Sequence, residues 1–166
     1  MVIYLDYDGV LHDDAVYTSP RHGIYIATPG CELFEWAHIL EELLTPWPQV
    51  QIVLSTSWVR ERSYNYAKGR LPASLAARVI GATFHNRLMQ KPEFDRLSRG
   101  AQVLADVNRR RPGAWFALDN DPEGWPDVVL DRLVLTHDRL GLSEARVQAE
   151  IRVLLNEESL RAGADG

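Results

Sequence analysis

The feature that most constrains this chain is its opening string, Val2-Ile3-Tyr4-Leu5-Asp6-Tyr7-Asp8-Gly9-Val10-Leu11-His12. Four residues of largely β-branched and apolar character run straight into two carboxylates separated by one residue, and then into a glycine. Asp and Gly are poor strand formers, so the string predicts a buried strand with Asp6 at or just past its carboxyl end and Asp8 on the loop beyond. In an open α/β sheet, that end is where ligands bind. Carboxylates this close repel each other, and a cation or a shared proton is the natural way to hold them together, which makes a metal site the first reading. A bare Asp-x-Asp is as readily a surface turn that ends the strand and caps the next segment, and the flanking residues have to decide between the two.

A second stretch repeats the layout. Ala114-Trp115-Phe116-Ala117-Leu118 is an apolar run that ends in Asp119-Asn120-Asp121-Pro122-Glu123. Two crossover-connected strands that both end in acids can form one acidic pocket at the sheet edge, and hard oxygen ligands of that kind suit Mg2+. Between them lies Val50-Gln51-Ile52-Val53-Leu54, running into Ser55-Thr56-Ser57-Trp58. Hydroxyls and backbone amides after a strand can donate to phosphate oxygens, although Ser and Thr there also serve as ordinary caps for the next helix.

The remaining pattern alternates strands with helices. Short β-prone pieces around Ser19-Pro20-Arg21-His22-Gly23 predict a hairpin near the carboxylate loop. Apolar residues Leu33, Phe34, Ala37, Leu40, Leu43 and Leu44 predict a helix over 29–44. Cys31 and His38 have no partner at a useful spacing and read as structural or solvated. Further strands are expected within 78–84 and over 128–135, a helix capped by Ser98 and ending near Arg110-Arg111-Pro112-Gly113, and a closing helix over 143–155 capped by Ser143. Arg109, Arg110 and Arg111 suit the carboxyl end of the Ser98 helix, where positive charge favours the dipole.

Size and charge bound the partners. The chain of 166 residues is expected to form one domain over 1–160, with a disordered tail over 161–166. A formal charge of -5 argues against a generally basic nucleic-acid surface. A local stretch still carries Arg60, Arg62, Lys68, Arg70 and Arg78 with Tyr64 and Tyr66 interleaved. That stretch is either a phosphate-backbone groove with stacking aromatics or a solvated helical face. One cysteine leaves no internal disulfide framework or Cys-rich zinc site, and no stretch is apolar for long enough to span a bilayer. A cytoplasmic protein with no membrane partner is expected. The oligomeric state is not legible.

The string Leu5-Asp6-Tyr7-Asp8-Gly9-Val10-Leu11 resembles the first motif of the haloacid dehalogenase-like (HAD) superfamily, a hydrophobic strand followed by Asp-x-Asp-Gly-Thr/Val-Leu. Ser55-Thr56-Ser57-Trp58, Trp115-Phe116-Ala117-Leu118-Asp119-Asn120-Asp121, and Leu135-Thr136 followed by Gly141-Leu142-Ser143 extend the likeness to the HAD domain of Swiss Army Knife RNA repair proteins. The resemblance implies a Rossmann-like α/β three-layer sandwich around a mostly parallel five-stranded sheet, without a large cap. It also implies a Mg2+-dependent phosphatase working through an aspartyl-phosphate, with Asp6 as nucleophile and Asp8 as acid/base. Thr56, with Ser55 as second choice, and Arg99 or Lys91 would bind the phosphoryl oxygens. Asp6, Asp119, Asp121 and the backbone carbonyl of Asp8 would hold the metal, with Glu123 the alternative to Asp121. The basic residue departs from the family pattern: Arg99 fits by position and Lys91 by residue type, and no Lys opens the Ser98 helix.

The expected substrate is a phosphate monoester, either at a nucleotide or nucleic-acid end or on a small metabolite. A nucleic-acid end would rest on Trp58, Tyr64 and the arginines that come after the second motif. A receiver-like signalling module also combines acids, a Thr and a Lys around Mg2+, but receivers carry their phosphoacceptor on a central strand after an acidic pair on the first. A catalytically silent phosphate-binding module is a further alternative, which the intact Asp6 and Asp8 argue against.

Overall fold

The computed structural model describes residues 1–164, with side chains through residue 157. Five parallel strands form the central sheet: β1 (Val2–Leu5), β4 (Gln51–Leu54), β5 (Val79–Ala82), β6 (Trp115–Asp119) and β7 (Leu133–Leu135), in the order β5-β4-β1-β6-β7. Strands β2 (Val16–Ser19) and β3 (Gly23–Ile26) make the expected antiparallel hairpin. The hairpin base is stitched by buried Asp13, whose Oδ1 accepts from the Ala15 amide and the Thr28 hydroxyl.

The sheet is covered on both faces, which is why its strands read as unbroken apolar runs. Ile3 and Leu5 of β1 face a core built with α1 (Ala37–Leu44) and α7 (Ala145–Ala164). Val2 and Tyr4, on the alternate face, pack with Val103 of α6 (Arg99–Arg110) and Trp125. The Tyr4 hydroxyl donates to buried Asp106 at 2.9 Å, and Arg109 and Arg110 close around the same carboxylate, fixing α6 against β1. Short helices α2 (Trp58–Glu61), α3 (Tyr64–Gly69) and α4 (Ala73–Ala76) fill the interval between β4 and β5, and α5 (Lys91–Phe94) precedes α6. Neither the β1–β4 nor the β4–β5 interval holds a large insertion: the first contains the two-stranded hairpin and α1, the second α2 to α4. Among the described residues, no helix is long and apolar enough to cross a membrane.

Three expectations are corrected. The helix expected over 29–44 begins at Ala37, because residues 29–36 are turns and Phe34 sits in the left-handed region at φ 63°. Aromatic packing of Phe34 against Tyr7, His12 and Trp58 overrides the helical spacing there. The strand expected over 128–135 is a 3-10 turn, Asp127–Arg132, followed by three strand residues, since Pro126 starts a tight turn and Val128 is left exposed. Ser143 does not cap the closing helix: it lies in a 3-10 turn of its own (Gly141–Ser143), and its hydroxyl donates back to the Leu140 carbonyl at 2.5 Å. That helix runs to Ala164 and takes in the first residues of the expected tail; residues 165 and 166 lie outside the described residues.

Candidate active site

The chain leaves β1 toward β4 on one side, and later leaves β6 toward β7 on the other. The crevice between β1 and β6 is therefore the topological switch point of the sheet, the place where such folds bind ligands. The β1–β6 register pairs Leu5 with Leu118, which sets Asp6 and Asp119 side by side just past that rung. Both carboxylates are buried, 3% and 1% exposed.

Each acid is held from several directions. Asp6 Oδ1 accepts from the Tyr7 amide at 2.7 Å, and Oδ2 lies 3.1 Å from Arg99 Nη2. The buried Thr56 hydroxyl lies near the same carboxylate and favours its charged form. Asp119 Oδ1 accepts from the Asp121 amide at 3.0 Å. Asp119 Oδ2 lies 3.2 Å from Arg99 Nε, yet is a buried oxygen without a hydrogen bond. The third nitrogen of the Arg99 fork donates to the Ser55 carbonyl. One guanidinium thus reaches the ends of β1, β4 and β6.

Arg99 is delivered there by α6. Ser98 caps the helix, accepting from the Ala101 amide, and Gly100 lets the first turn approach the loop after β6. Its amide bonds the Glu123 carbonyl at 3.0 Å, and a Cβ there would come within 2.4 Å of the Gly124 carbonyl oxygen. A cation at a helix amino terminus opposes the dipole, and burial opposes the charge itself; Asp6 and Asp119 more than offset both, and the guanidinium is held protonated.

Electrostatics marks the acids as short of positive charge. Burial pushes Asp6 up to about 6, with Asp8 adding to the rise and Arg99, the Tyr7 amide and Thr56 opposing it. Asp119 is raised well above the ordinary carboxylate range, first by burial and then by the charge of Asp6. One arginine does not balance two adjacent buried carboxylates. Ser55 Oγ is likewise buried without a hydrogen-bond partner among the described residues, so two orphaned polar atoms flank the end of β1, at the ends of β4 and β6.

The acidic loop after β1 is tightly shaped. Gly9 adopts φ 71°, and a Cβ there would meet the Asn120 side chain at 2.5 Å. The Thr136 hydroxyl donates to the Gly9 carbonyl at 2.7 Å, tying this loop to the end of β7. Asp8, beside Gly9, is partly exposed, and its Oδ1 accepts from His12 Nε2 at 3.0 Å and from Trp58 Nε1 at 2.9 Å.

The other sequence candidates are more scattered. Lys91 is exposed at the start of α5 and makes no hydrogen bond or ion pair with these acids, whereas Arg99 meets two of them. Asp121 is close enough to act on Arg99 and Asp119 electrostatically, but its Oδ1 accepts from the Glu123 amide, and Glu123 itself is exposed. Trp58 is 1% exposed, and the Arg78 guanidinium is spent on the carbonyls of Leu44, Trp47 and Val50, so neither lines a surface groove. Arg60, Arg62, Tyr64 and His85 do line a cleft of about 440 Å³ between α2 and β5. The sequence pattern did not single out His12, and it suggested Trp58 as a rim residue. The one available signal for His12 was its place four residues after Asp8.

No group of three or more His, Cys, Asp or Glu side chains gathers at metal-binding spacing among the described residues. Mg2+ does not require one: it commonly keeps several waters and takes one or two carboxylates plus substrate phosphate. Asp6 and Asp119, with the orphaned Asp119 Oδ2 and the nearby Asp8 backbone, are a hard-oxygen donor set that fits such an ion.

Comparison with curated proteins and with solved structures gives no match. The family model for the HAD domain in Swiss Army Knife RNA repair proteins matches residues 2–147, from the first residue of β1 into the closing helix, and so spans Asp6, Asp8, Ser55, Thr56, Arg99, Asp119 and Asp121. The chain belongs to that family of HAD domains.

Proposed function

We propose that this protein is a Mg2+-dependent phosphatase that hydrolyses phosphate monoesters through an aspartyl-phosphate on Asp6. Membership of a HAD domain family supports a phosphatase-type hydrolase. The observation that carries the reading is the convergence of Asp6, Asp119, Thr56 and Arg99 at the β1–β6 switch point, with Asp8 on the adjoining loop.

In this reading an Asp6 carboxylate oxygen attacks phosphorus, the bond from phosphorus to the leaving oxygen breaks, and Asp8 supplies the proton that the leaving oxygen takes up. Asp8 then receives a proton from the attacking water; the new P–O bond forms as the acyl-phosphate bond breaks, releasing phosphate and restoring Asp6. Arg99 and the Thr56 hydroxyl, with Ser55 beside them, neutralise charge on the equatorial oxygens. Asp6, Asp119 and the Asp8 carbonyl would hold Mg2+, which supplies charge stabilisation between the anionic nucleophile and phosphate. Asp121 would support Asp119 through its amide.

The substrate class we favour is a phosphate at the end of a larger molecule, a nucleotide or nucleic-acid end. The intervals β1–β4 and β4–β5 carry no domain that could close over a small substrate, and the cleft bearing Arg60, Arg62, Tyr64 and His85 is built in part from residues that follow the Ser55–Trp58 turn in sequence. The test is a screen of mononucleotides, sugar phosphates and phosphate-ended oligonucleotides, with Mg2+ and with chelator, at low and raised salt. Mg2+-dependent phosphate release is expected, faster from the oligonucleotide end and weakened by salt. Equal turnover of mononucleotide and oligonucleotide without salt dependence contradicts the substrate class; no turnover of any phosphate contradicts the enzyme.

A further inference from the structure

His12 is fully buried, and its two ring nitrogens have two distinct partners. Nδ1 accepts from the Phe34 backbone N–H at 3.1 Å. A nitrogen that accepts carries no proton, so the ring proton is on Nε2, which therefore donates to Asp8 Oδ1 at 3.0 Å. The indole N–H of Trp58, itself 1% exposed, donates to the same oxygen at 2.9 Å. Asp8 Oδ2 has no partner among the described residues, and the Asp8 side chain is 22% exposed while that of His12 is 0% exposed.

The arrangement is costly to keep for packing alone. A buried imidazole and indole N–H each lose water on folding, and apolar rings of the same shape would avoid that loss. Phe34 holds the donating amide at φ 63°, a left-handed backbone that L side chains disfavour. Its ring is packed 5.0 Å from His12, 5.1 Å from Tyr7 and 5.3 Å from Trp58, which secures the strained residue. What this network gains is a carboxylate with one oxygen clamped by two donors and the other left without a partner among the described residues.

We propose that His12 and Trp58 are positioning residues for the acid/base step: by clamping Asp8 Oδ1 they aim Oδ2 at the leaving oxygen and then at the attacking water. This rests on the reading of Asp8 as the acid/base of a phosphatase. The clamp does not touch phosphate, so its loss affects proton delivery and leaves phosphoryl binding in place.

The experiment compares kcat/KM, which reports the first chemical step, for p-nitrophenyl phosphate and phenyl phosphate in wild type, Trp58→Phe, His12→Leu and His12→Gln. The nitrophenolate leaves readily unprotonated; phenolate depends more on the acid. Trp58→Phe and His12→Leu are expected to lose about tenfold more on phenyl phosphate than on the nitro ester, a fraction of what a general acid contributes. Gln at 12, with a donor and an acceptor, is expected to recover part of the loss. Equal losses on both esters, or none, overturn the clamp. A wild type inactive on both esters with Mg2+ overturns the phosphatase reading itself, a distinguishable result. Independently of turnover and of variant folding, 15N NMR of wild-type His12 is expected to show a protonated Nε2 and an unprotonated Nδ1. The opposite tautomer overturns the proposal.

Discussion

Arg99 Nη2 lies 3.1 Å from Asp6 Oδ2, joining the first turn of α6 to the end of β1 across 93 positions of sequence. The same fork faces Asp119 and the Ser55 carbonyl, so this one side chain links three strand ends. Removing it leaves two buried carboxylates without a cation. Arg99→Ala is expected to cost the metal-free protein about 3 kcal/mol, the scale for breaking a buried pair. Arg99→Lys should keep the charge yet lose the fork that spans both acids, and should show a raised KM with a lowered kcat. Denaturant unfolding with chelator, together with steady-state kinetics, checks both; an Ala variant as stable and as active as wild type is the contrary result.

Asp6 and Asp119 tie stability to pH. Asp6 keeps its proton up to about 6 in the folded state, against an ordinary value of 3.8, which the unfolded chain is taken to have. Between these values the native state binds more protons than the unfolded state, so stability falls as pH rises through that window and stays reduced above it. Asn at this position carries no such cost. Metal-free Asp6→Asn is expected to unfold at higher denaturant than wild type at neutral pH, by up to about 3 kcal/mol, with the gap closing as pH falls through 6 toward 4. Excess Mg2+ should raise the melting temperature of wild type and much less that of Asp119→Asn. A wild type indifferent to Mg2+ removes the basis for the metal site.

Asp8→Asn keeps an oxygen that can accept from His12 and Trp58, but it neither carries the transferable proton nor accepts one. Both formation and breakdown of the phospho-enzyme should slow, by about 10²–10⁴-fold. Single-turnover and burst kinetics on phenyl phosphate, whose leaving group depends on the acid, separate the two steps. An unchanged breakdown rate in this variant contradicts the second role of Asp8.

The strand ends were legible because a sheet covered on both faces demands apolar runs, and Asp6 and Asp119 interrupt those runs where the ladder stops. Thr56 came from the same logic on β4. Arg99 against Lys91 was undecidable by sequence, since both precede β6; the choice depends on where the cap at Ser98 and the approach at Gly100 place the first turn of α6. Residues 29–36 carry helical spacing, yet Phe34 serves a cluster formed with residues up to 27 positions away, which no local period reports. Trp58 was visible as an aromatic beside the second motif. Its burial against Tyr7 and His12 and its indole bond to Asp8 are tertiary facts, and they turn an expected stacking surface into a contact that holds the Asp8 side chain.

The central claim is covalent attack by Asp6, and acid-quench trapping with a 32P-labelled phosphate monoester tests it most directly. Digestion and peptide mapping are expected to place a hydroxylamine-labile phosphate on Asp6 in wild type, with no label and no multiple turnover in Asp6→Asn, because a neutral amide is a poor nucleophile. Multiple turnover by Asp6→Asn free of deamidated protein, or label mapping to another residue, contradicts the account.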